Sequence, residues 1–125
     1  MRIRLHDKGY KKMCELVDER DGGRCVICGS PYIQHHHVIF RSAGGSDTPE
    51  NLVCLCSGCH SVYAHGKKSK SWQKILLDYL QDKKFDEFYS KNFRYIVKLI
   101  ERYGKTEKVR KLGGESYGGG VDKNQ

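Results

Sequence analysis

The sequence predicts a small α+β domain stabilised by zinc. Three observations support this: CxxC pairs at residues 25–28 and 56–59, two short apolar runs around a glycine-containing loop, and amphipathic helical patterns on both sides. With 125 residues the chain has the length of one domain. Because so small a domain buries only a modest fraction of its surface, a structural metal would help to stabilise it.

The first expected element is an amphipathic helix that precedes the first cysteine pair. Its apolar positions follow i, i+3, i+4, i+7 spacing and are Tyr10, Met13, Cys14 and Val17. Asp7 is the expected N-cap, and the Asp21-Gly22-Gly23 turn is the expected end of the helix.

The two CxxC pairs predict a structural zinc site. Zinc prefers four soft ligands in a tetrahedron, and each CxxC places two thiolates on one tight turn. The predicted ligands are Cys25, Cys28, Cys56 and Cys59. Disulfides or a redox dithiol are the alternatives, and a reducing compartment favours zinc. A closed four-cysteine shell leaves no position for a substrate, and Cys14 and Cys54 are expected to be ordinary buried cysteines.

The apolar runs Val38–Phe40 and Leu52–Leu55 predict two short strands that flank a long loop. Ser57 or Gly58 is expected to begin a helix that carries Cys59 and His60. Adjacent helical residues diverge by about 100°, so His60 is expected to bind something other than the zinc.

The C-terminal part predicts amphipathic helices within residues 71–103 and a tail at 104–125. Apolar residues at helical spacing include Trp72 and Leu76 in the first helix, and Phe93 and Ile96 in the second. Trp72 is interpreted as a core residue rather than a base-stacking platform. The place of residues 85–89 stays open. From Gly104, the expected helix stop, the chain is rich in Gly and Lys and is predicted to be disordered.

The net charge of +8 is unevenly distributed. Residues 66–103 carry ten Lys/Arg and five Asp/Glu, whereas residues 31–65 carry one Arg and two acids. In this layout the basic flank could bind a polyanion and present it to the nearly neutral centre of the chain. Solvated helix faces explain the charge equally well. The predicted contacts with backbone phosphates are Arg41, Lys67, Lys68, Lys70 and Lys74.

Residues 25–60 resemble the HNH endonucleases, and in particular their four-cysteine branch in bacterial and phage proteins. The resemblance rests on the CxxC pairs and on His36-His37-Val38-Ile39, Gly44-Gly45-Ser46-Asp47, Glu50-Asn51-Leu52 and Cys59-His60. It implies a ββα-metal (HNH, His-Me finger) core at residues 25–65, in which a hairpin and a helix hold one catalytic divalent ion. The nuclease domain would then cover residues 1–103.

The resemblance also implies roles for single residues. His36 and His60 would bind the catalytic ion, His37 would be the general base, and Asn51 would position the base loop or reach the metal. His35 would be a bystander.

Two features depart from the family pattern. His65 follows His60 by five residues, which is about 140° around an α-helix, so it is a ligand only if the helix ends or bulges there. Adjacent strand residues point to opposite faces, so a bend, a twist or an intervening substrate is needed to bring His36 and His37 to one reaction.

The function implied is hydrolysis of double-stranded DNA with Mg²⁺, Mn²⁺, Ni²⁺ or Zn²⁺, which leaves a 5′-phosphate and a 3′-hydroxyl. Low sequence specificity is expected because no base-reading module is recognisable. A zinc-stabilised nucleic-acid-binding module without catalysis is the alternative, and a zinc scaffold for another protein is a third.

The polar N-terminus and the absence of an 18-residue apolar run predict a soluble, cytoplasmic protein with no membrane partner and no small-molecule substrate. The resemblance adds a phage or prophage origin and a phage terminase as a partner.

Overall fold

The structure is a computed structural model and describes residues 2–107. These residues form two antiparallel two-stranded sheets and four helices. In chain order these are β1 (Arg2–Leu5), α1 (Asp7–Asp21), β2 (Ile33–His37), β3 (Leu52–Cys56), α2 (Ser57–Cys59), α3 (Ser69–Leu80), α4 (Asp86–Tyr103) and β4 (Gly104–Glu107). A π-helical turn, His60–Ala64, follows α2, and 3-10 turns lie at Arg41–Ala43, Pro49–Asn51 and Lys83–Phe85. This architecture confirms the predicted α+β class.

The hairpin of β2 and β3 lies at the centre, with a hydrophobic core on each face. Its register runs from Ile33 opposite Cys56 to His37 opposite Leu52. One core joins the hairpin to α1 and α4 through Leu5, Met13, Leu16, Val17, Leu52, Cys54, Ile96 and Leu99. The other joins it to the cysteine turns and α3 through Cys25, Val38, Val53, Leu55, Cys59, Ala64, Leu76 and Leu80. Since both faces are buried, β3 has a continuous apolar sequence instead of an alternating one.

The first strand of this hairpin lies earlier than the sequence predicted. It is Ile33–His37, and the apolar run Val38–Phe40 follows it. The Val38 amide still bonds the Asn51 carbonyl at 2.9 Å, but the Ile39 amide donates to the Asn51 side-chain oxygen at 2.7 Å. The side chain thus replaces a strand partner and turns the chain out of the ladder. Val38 is apolar because it is buried in the second core.

The N-terminal strand and residues 104–107 pair with each other, which the sequence did not predict. β1 and β4 are antiparallel, from Arg2 opposite Glu107 to Leu5 opposite Gly104. The expectation of a disordered tail from Gly104 is therefore wrong for residues 104–107. The sequence carried no apolar signal for β4, because this strand is held by backbone hydrogen bonds to β1 and the buried side chain of the pair is Leu5 of β1. The rest of the predicted tail lies outside the described residues.

The first helix confirms its predicted end but not its predicted cap. Gly22 follows α1 in the left-handed conformation (φ 72°), which glycine adopts without a steric penalty. Asp7 is the first residue inside the helix, and His6 is the N-cap without a side-chain capping bond. The carboxylate of Asp7 in the first turn still interacts favourably with the helix dipole.

The C-terminal helices differ from the prediction in their buried face. Phe93 is 63% exposed, whereas Leu99 of α4 packs in the first core beside Ile96. Phe85 ends a 3-10 turn and Asp86 begins α4, so the segment that the sequence left open belongs mainly to the second helix. Within residues 2–107, no helix has the length and apolar character needed to cross a membrane.

Candidate functional site

Four cysteine sulfurs meet where the turn before β2 approaches the start of α2. The Sγ atoms of Cys25, Cys28, Cys56 and Cys59 all lie within 4.8 Å of one another. The Cys28 and Cys56 sulfurs are 3.5 Å apart, and the Cys59 amide donates to the Cys56 sulfur at 3.4 Å. All four are free thiols, so this group forms a structural metal site rather than a disulfide framework.

Backbone amides prepare this site for a cation. Burial acts to raise the pKa of the Cys25 thiol, but the amides of Cys28, Cys56 and Ile27 stabilise its thiolate and bring the pKa down to about 6. Metal coordination requires deprotonated thiols, so these amides favour the metal-binding form. Cys14 and Cys54 are buried elsewhere, as predicted.

A second group of potential metal ligands lies on the α3 face of the hairpin. It comprises His36, His60 and His65, whose ring nitrogens lie within 4.8 Å of one another. The ring centroids are 4.9 Å apart for His36 and His60 and 4.4 Å apart for His60 and His65. The structure therefore brings together His36 and His60, which the sequence predicted as ligands of the catalytic ion, and His65, whose position around the helix was in question.

The π-helical turn explains how His65 reaches this group. The His65 amide bonds the His60 carbonyl at 3.1 Å, which is the i to i+5 bond of a π-helix. A wider turn returns residue i+5 to the face of residue i, and the two Nε2 atoms are 3.1 Å apart. The His65 ring also stacks on Phe40, with centroids 5.0 Å apart. The helix thus bulges after His60, which is one of the two conditions under which the sequence allowed His65 to be a ligand.

The electrostatics of His36 suit a metal ligand. Burial, together with the neighbouring His60 and His65, lowers the pKa of His36 to about 3. Burial and His65 also lower the pKa of His60. Both imidazoles are therefore neutral near pH 7, which is the form that binds a cation. The His36 Nδ1 is the buried side-chain nitrogen that lacks a hydrogen-bond partner within residues 2–107, and a metal would satisfy such an atom.

His37 points to the opposite face of the hairpin, toward α1. Its side chain is 6% exposed, and its Nε2 lies 2.8 Å from the Asp47 Oδ1. Its ring stacks on Tyr10, with centroids 6.0 Å apart. The alternation of strand residues thus separates the expected general base from the three-histidine group, and no bend of β2 brings them to one face.

Asp47 is a buried charge centre to which the sequence assigned no role. Its side chain is fully buried and bonds Arg4, Arg41 and the Leu5 amide as well as His37. Burial acts to raise the pKa of Asp47, but its bonds to His37, Arg41 and the Leu5 amide hold the pKa well below the usual range. Only its position after Gly44-Gly45-Ser46 marked it in the sequence, because its partners Arg4 and Leu5 are more than 40 residues away.

The depressed pKa of Asp47 makes part of the stability depend on pH. The ionised carboxylate contributes stability that is fully present above its unfolded-state pKa of about 3.9 and is lost as the pH falls toward the folded-state pKa.

Asn51 bonds the loop that follows β2. It does not belong to the group of potential metal ligands formed by the three histidines. Its side-chain oxygen accepts from the Ile39 amide, and its Nδ2 donates to the carbonyls of Ile39 at 2.9 Å and Ser46 at 3.1 Å. Gly45 lies beside this clamp, where an added Cβ would stand 2.6 Å from the Asn51 Nδ2. Asn51 thus holds the loop between β2 and β3, and its role in catalysis stays a prediction.

The predicted phosphate-binding residues occupy different surroundings. Lys67, Lys68, Lys70 and Lys74 are exposed on the segment that directly follows His65 and on α3. Arg41 instead bonds Asp47 at 2.9 Å and lies over the Tyr10 ring, although its side chain is 48% exposed.

The predicted bystander, His35, bonds Asp18 of α1 at 2.6 Å. It lies on the same face of β2 as His37 and forms a second His–Asp pair beside the His37–Asp47 pair.

Comparisons with known proteins match the region that contains both metal-binding groups. Residues 25–66 match the family model described as HNH endonuclease. The type IV methyl-directed restriction enzyme EcoKMcrA of Escherichia coli is 44% identical over 48 residues, which cover 38% of this chain and 17% of that enzyme. Anaredoxin of a Nostoc species is 30% identical over 60 residues, which cover 46% of this chain and 79% of that protein. The chain therefore spans less than a fifth of the restriction enzyme.

Proposed function

Since this chain belongs to the HNH endonuclease family, we propose that it is a metal-dependent endonuclease that hydrolyses DNA phosphodiester bonds. The observation that carries the proposal is the convergence of His36, His60 and His65 on one point, next to a run of exposed lysines. A module that only bound nucleic acid would need the lysines but would have no use for three clustered imidazoles, one of which has a buried nitrogen without a hydrogen-bond partner. The non-catalytic alternative is therefore the less favoured one.

The two metal groups have different tasks in this proposal. The four thiolates would hold a structural zinc ion and would leave no position for a substrate. The three imidazoles would hold a divalent ion, which would supply stabilisation of the charge on the phosphate and on the departing 3′ oxygen. Imidazole nitrogens suit Ni²⁺ and Zn²⁺ better than Mg²⁺, which prefers oxygen ligands.

His37 is the proposed general base. An ionised Asp47 accepts the Nε2 proton, which leaves the Nδ1 atom as the proton acceptor. The attacking water gives its proton to this nitrogen while its oxygen bonds to phosphorus. The bond to the 3′ oxygen breaks, and that oxygen takes up a proton from solvent, which yields a 5′-phosphate and a 3′-hydroxyl. Substrate has to lie across the end of β2, because His37 and the metal ligands occupy opposite faces of the hairpin.

The lysines supply affinity without sequence information. Lys67 and Lys68 follow His65 after a single glycine, so phosphates that they bind would lie close to the three histidines. We therefore expect low sequence specificity, because contacts with backbone phosphates do not read the bases. A phage terminase partner and a phage origin stay predictions from the resemblance alone.

A plasmid assay tests the proposed function. Purified protein is incubated with supercoiled plasmid and Mg²⁺, Mn²⁺, Ni²⁺ or Zn²⁺, and open-circular and linear products are separated on a gel. We expect nicking that depends on added metal, is stronger with Ni²⁺ or Zn²⁺ than with Mg²⁺, and produces ends that DNA ligase reseals. Protein that leaves the plasmid intact with every metal would refute the proposal.

Replacing His60 by alanine is expected to weaken the metal dependence of nicking. Losing one of three protein ligands should raise the metal concentration for half-maximal nicking by at least the 10- to 100-fold that loss of an outer-shell partner typically costs. The measurement is a metal titration of the nicking rate, with His6→Ala as the matched control on the exposed start of α1. An unchanged metal dependence would remove His60 from the ligand set.

Replacing Asp47 by asparagine tests its role as a positioning residue. The amide no longer selects the Nε2–H tautomer of His37, so we expect the nicking rate to fall by about 10- to 100-fold and the pH profile of the rate to change shape. Asp18→Asn makes the same change at the neighbouring His35–Asp18 pair and should leave rate and profile unchanged. If Asp47→Asn lowers the melting temperature while the rate and profile of the folded protein match the wild type, the role of Asp47 is purely structural.

A further inference from the structure

A shallow groove lies between the π-helical turn and the start of α3. Its volume is about 540 Å³, within the range of small-ligand sites. Val62, Tyr63, Lys67, Lys68 and Trp72 line it. The sequence analysis expected Trp72 to lie in the core, but its side chain is only half-buried and forms one wall of this groove.

Two aromatic rings dominate the groove. Tyr63 and Trp72 have centroids 4.7 Å apart and planes inclined by 41°, so they form a tilted pair and not a closed stack. Tyr63 is 36% exposed and the adjacent Val62 is 62% exposed. These exposed apolar and aromatic groups have no stabilising role in the two hydrophobic cores, neither of which includes them.

The groove belongs to the same turn as two of the three clustered histidines. Tyr63 lies between His60 and His65 in the chain, on the exposed part of the π-helical turn together with Ser61 and Val62. Gly66 closes the turn tightly, since a Cβ there would lie 1.9 Å from the Val62 carbonyl oxygen. The groove and the histidine group thus share one short segment of the chain, residues 60–68.

We propose that this groove binds an unpaired base of the DNA substrate by stacking against Tyr63 and Trp72, with Lys67 and Lys68 on the adjoining phosphates. Aromatic faces beside cationic side chains are the combination that binds single-stranded nucleic acid. A fully paired duplex keeps both faces of each base covered by its neighbours, so the groove selects DNA with a locally open strand. This inference rests on the proposed function for its substrate, but base binding is measured without cleavage.

Trp72 makes the groove directly observable because it is the single tryptophan of the chain. The intact protein, without added divalent metal, is titrated with a thymidine oligonucleotide and, separately, with a blunt duplex of similar length. Tryptophan emission reports contact with the groove, and the anisotropy of a labelled oligonucleotide reports affinity. We expect the single strand to quench the emission and to bind about 10-fold more tightly than the duplex, as stacking of one base allows.

Tyr63→Ala is the decisive variant, because this partly exposed residue can be replaced without opening a core. It should reduce single-strand affinity about 10-fold and leave duplex affinity unchanged. Tyr95→Ala, which removes a similarly exposed tyrosine of α4, should change neither. Equal affinity for single strand and duplex, or unaltered single-strand binding by Tyr63→Ala, would overturn the proposal.

Plasmid nicking separates this inference from the proposed function. If the protein shows the quenching but never nicks, base binding in the groove is supported and the endonuclease proposal is refuted. If the protein nicks but shows no quenching, the endonuclease proposal is supported and base binding in the groove is refuted.

Discussion

Removal of the metal from the four-cysteine site is expected to unfold the domain. Structural zinc contributes about 10–16 kcal/mol in small zinc-dependent folds, which is comparable with or larger than the whole stability of a typical domain. Here two of the four cysteines, Cys25 and Cys59, also belong to the second hydrophobic core. Loss of the metal therefore releases both cysteine turns and the packing of α3 against the hairpin.

Cys28→Ser is the most informative single substitution for this prediction. Cys28 is the exposed member of the group, so serine there removes a ligand with little loss of packing. We expect loss of zinc by elemental analysis and loss of the cooperative thermal transition by circular dichroism, and the same result after strong chelation of the wild-type protein. Cys14→Ala, outside the group, should keep its zinc and lose only about 1 kcal/mol. A chelated protein that is free of zinc and melts like the untreated one would contradict the structural role of the metal.

His37→Ala is expected to have the largest effect on catalysis. Loss of a general base typically lowers the rate by about 10²- to 10⁴-fold. Because His37 is not in the three-histidine group, the metal concentration for half-maximal nicking should stay at its wild-type value. His60→Ala should show the opposite pattern, with a changed metal requirement.

The matched control for His37 lies on the same strand. His35 has the same side-chain type, faces the same side of β2 and bonds its own aspartate, but no catalytic role is proposed for it. Nicking is measured on the plasmid at saturating metal, with the melting temperature recorded for each variant. We expect His35→Ala to nick within a few-fold of wild type. If folded His37→Ala protein nicks as fast as the wild type, His37 and Asp47 are a buried structural pair and the base must be another group.

Local patterns in the sequence were sufficient where the chemistry itself is local. A CxxC places two thiolates on one turn whatever surrounds it, so the four-cysteine site was predictable from spacing alone. The end of α1 at Gly22 and the helix beginning at Ser57 follow from similarly short signals. The same local reading placed the first hairpin strand wrongly, because Val38 owes its apolar character to the second core and not to the ladder.

The sequence by itself determined the metal-ligand set at 25–28 and 56–59, the α+β class and the membership of the HNH family. Tertiary structure decided the rest of the site. A π-helical turn brings His65 to His60, and the pleat of β2 places His37 on the opposite face from His36. The physical reason is that spacing fixes only neighbours within a turn, whereas partners such as Arg4 and Asp47 meet only when the two sheets and both cores have formed.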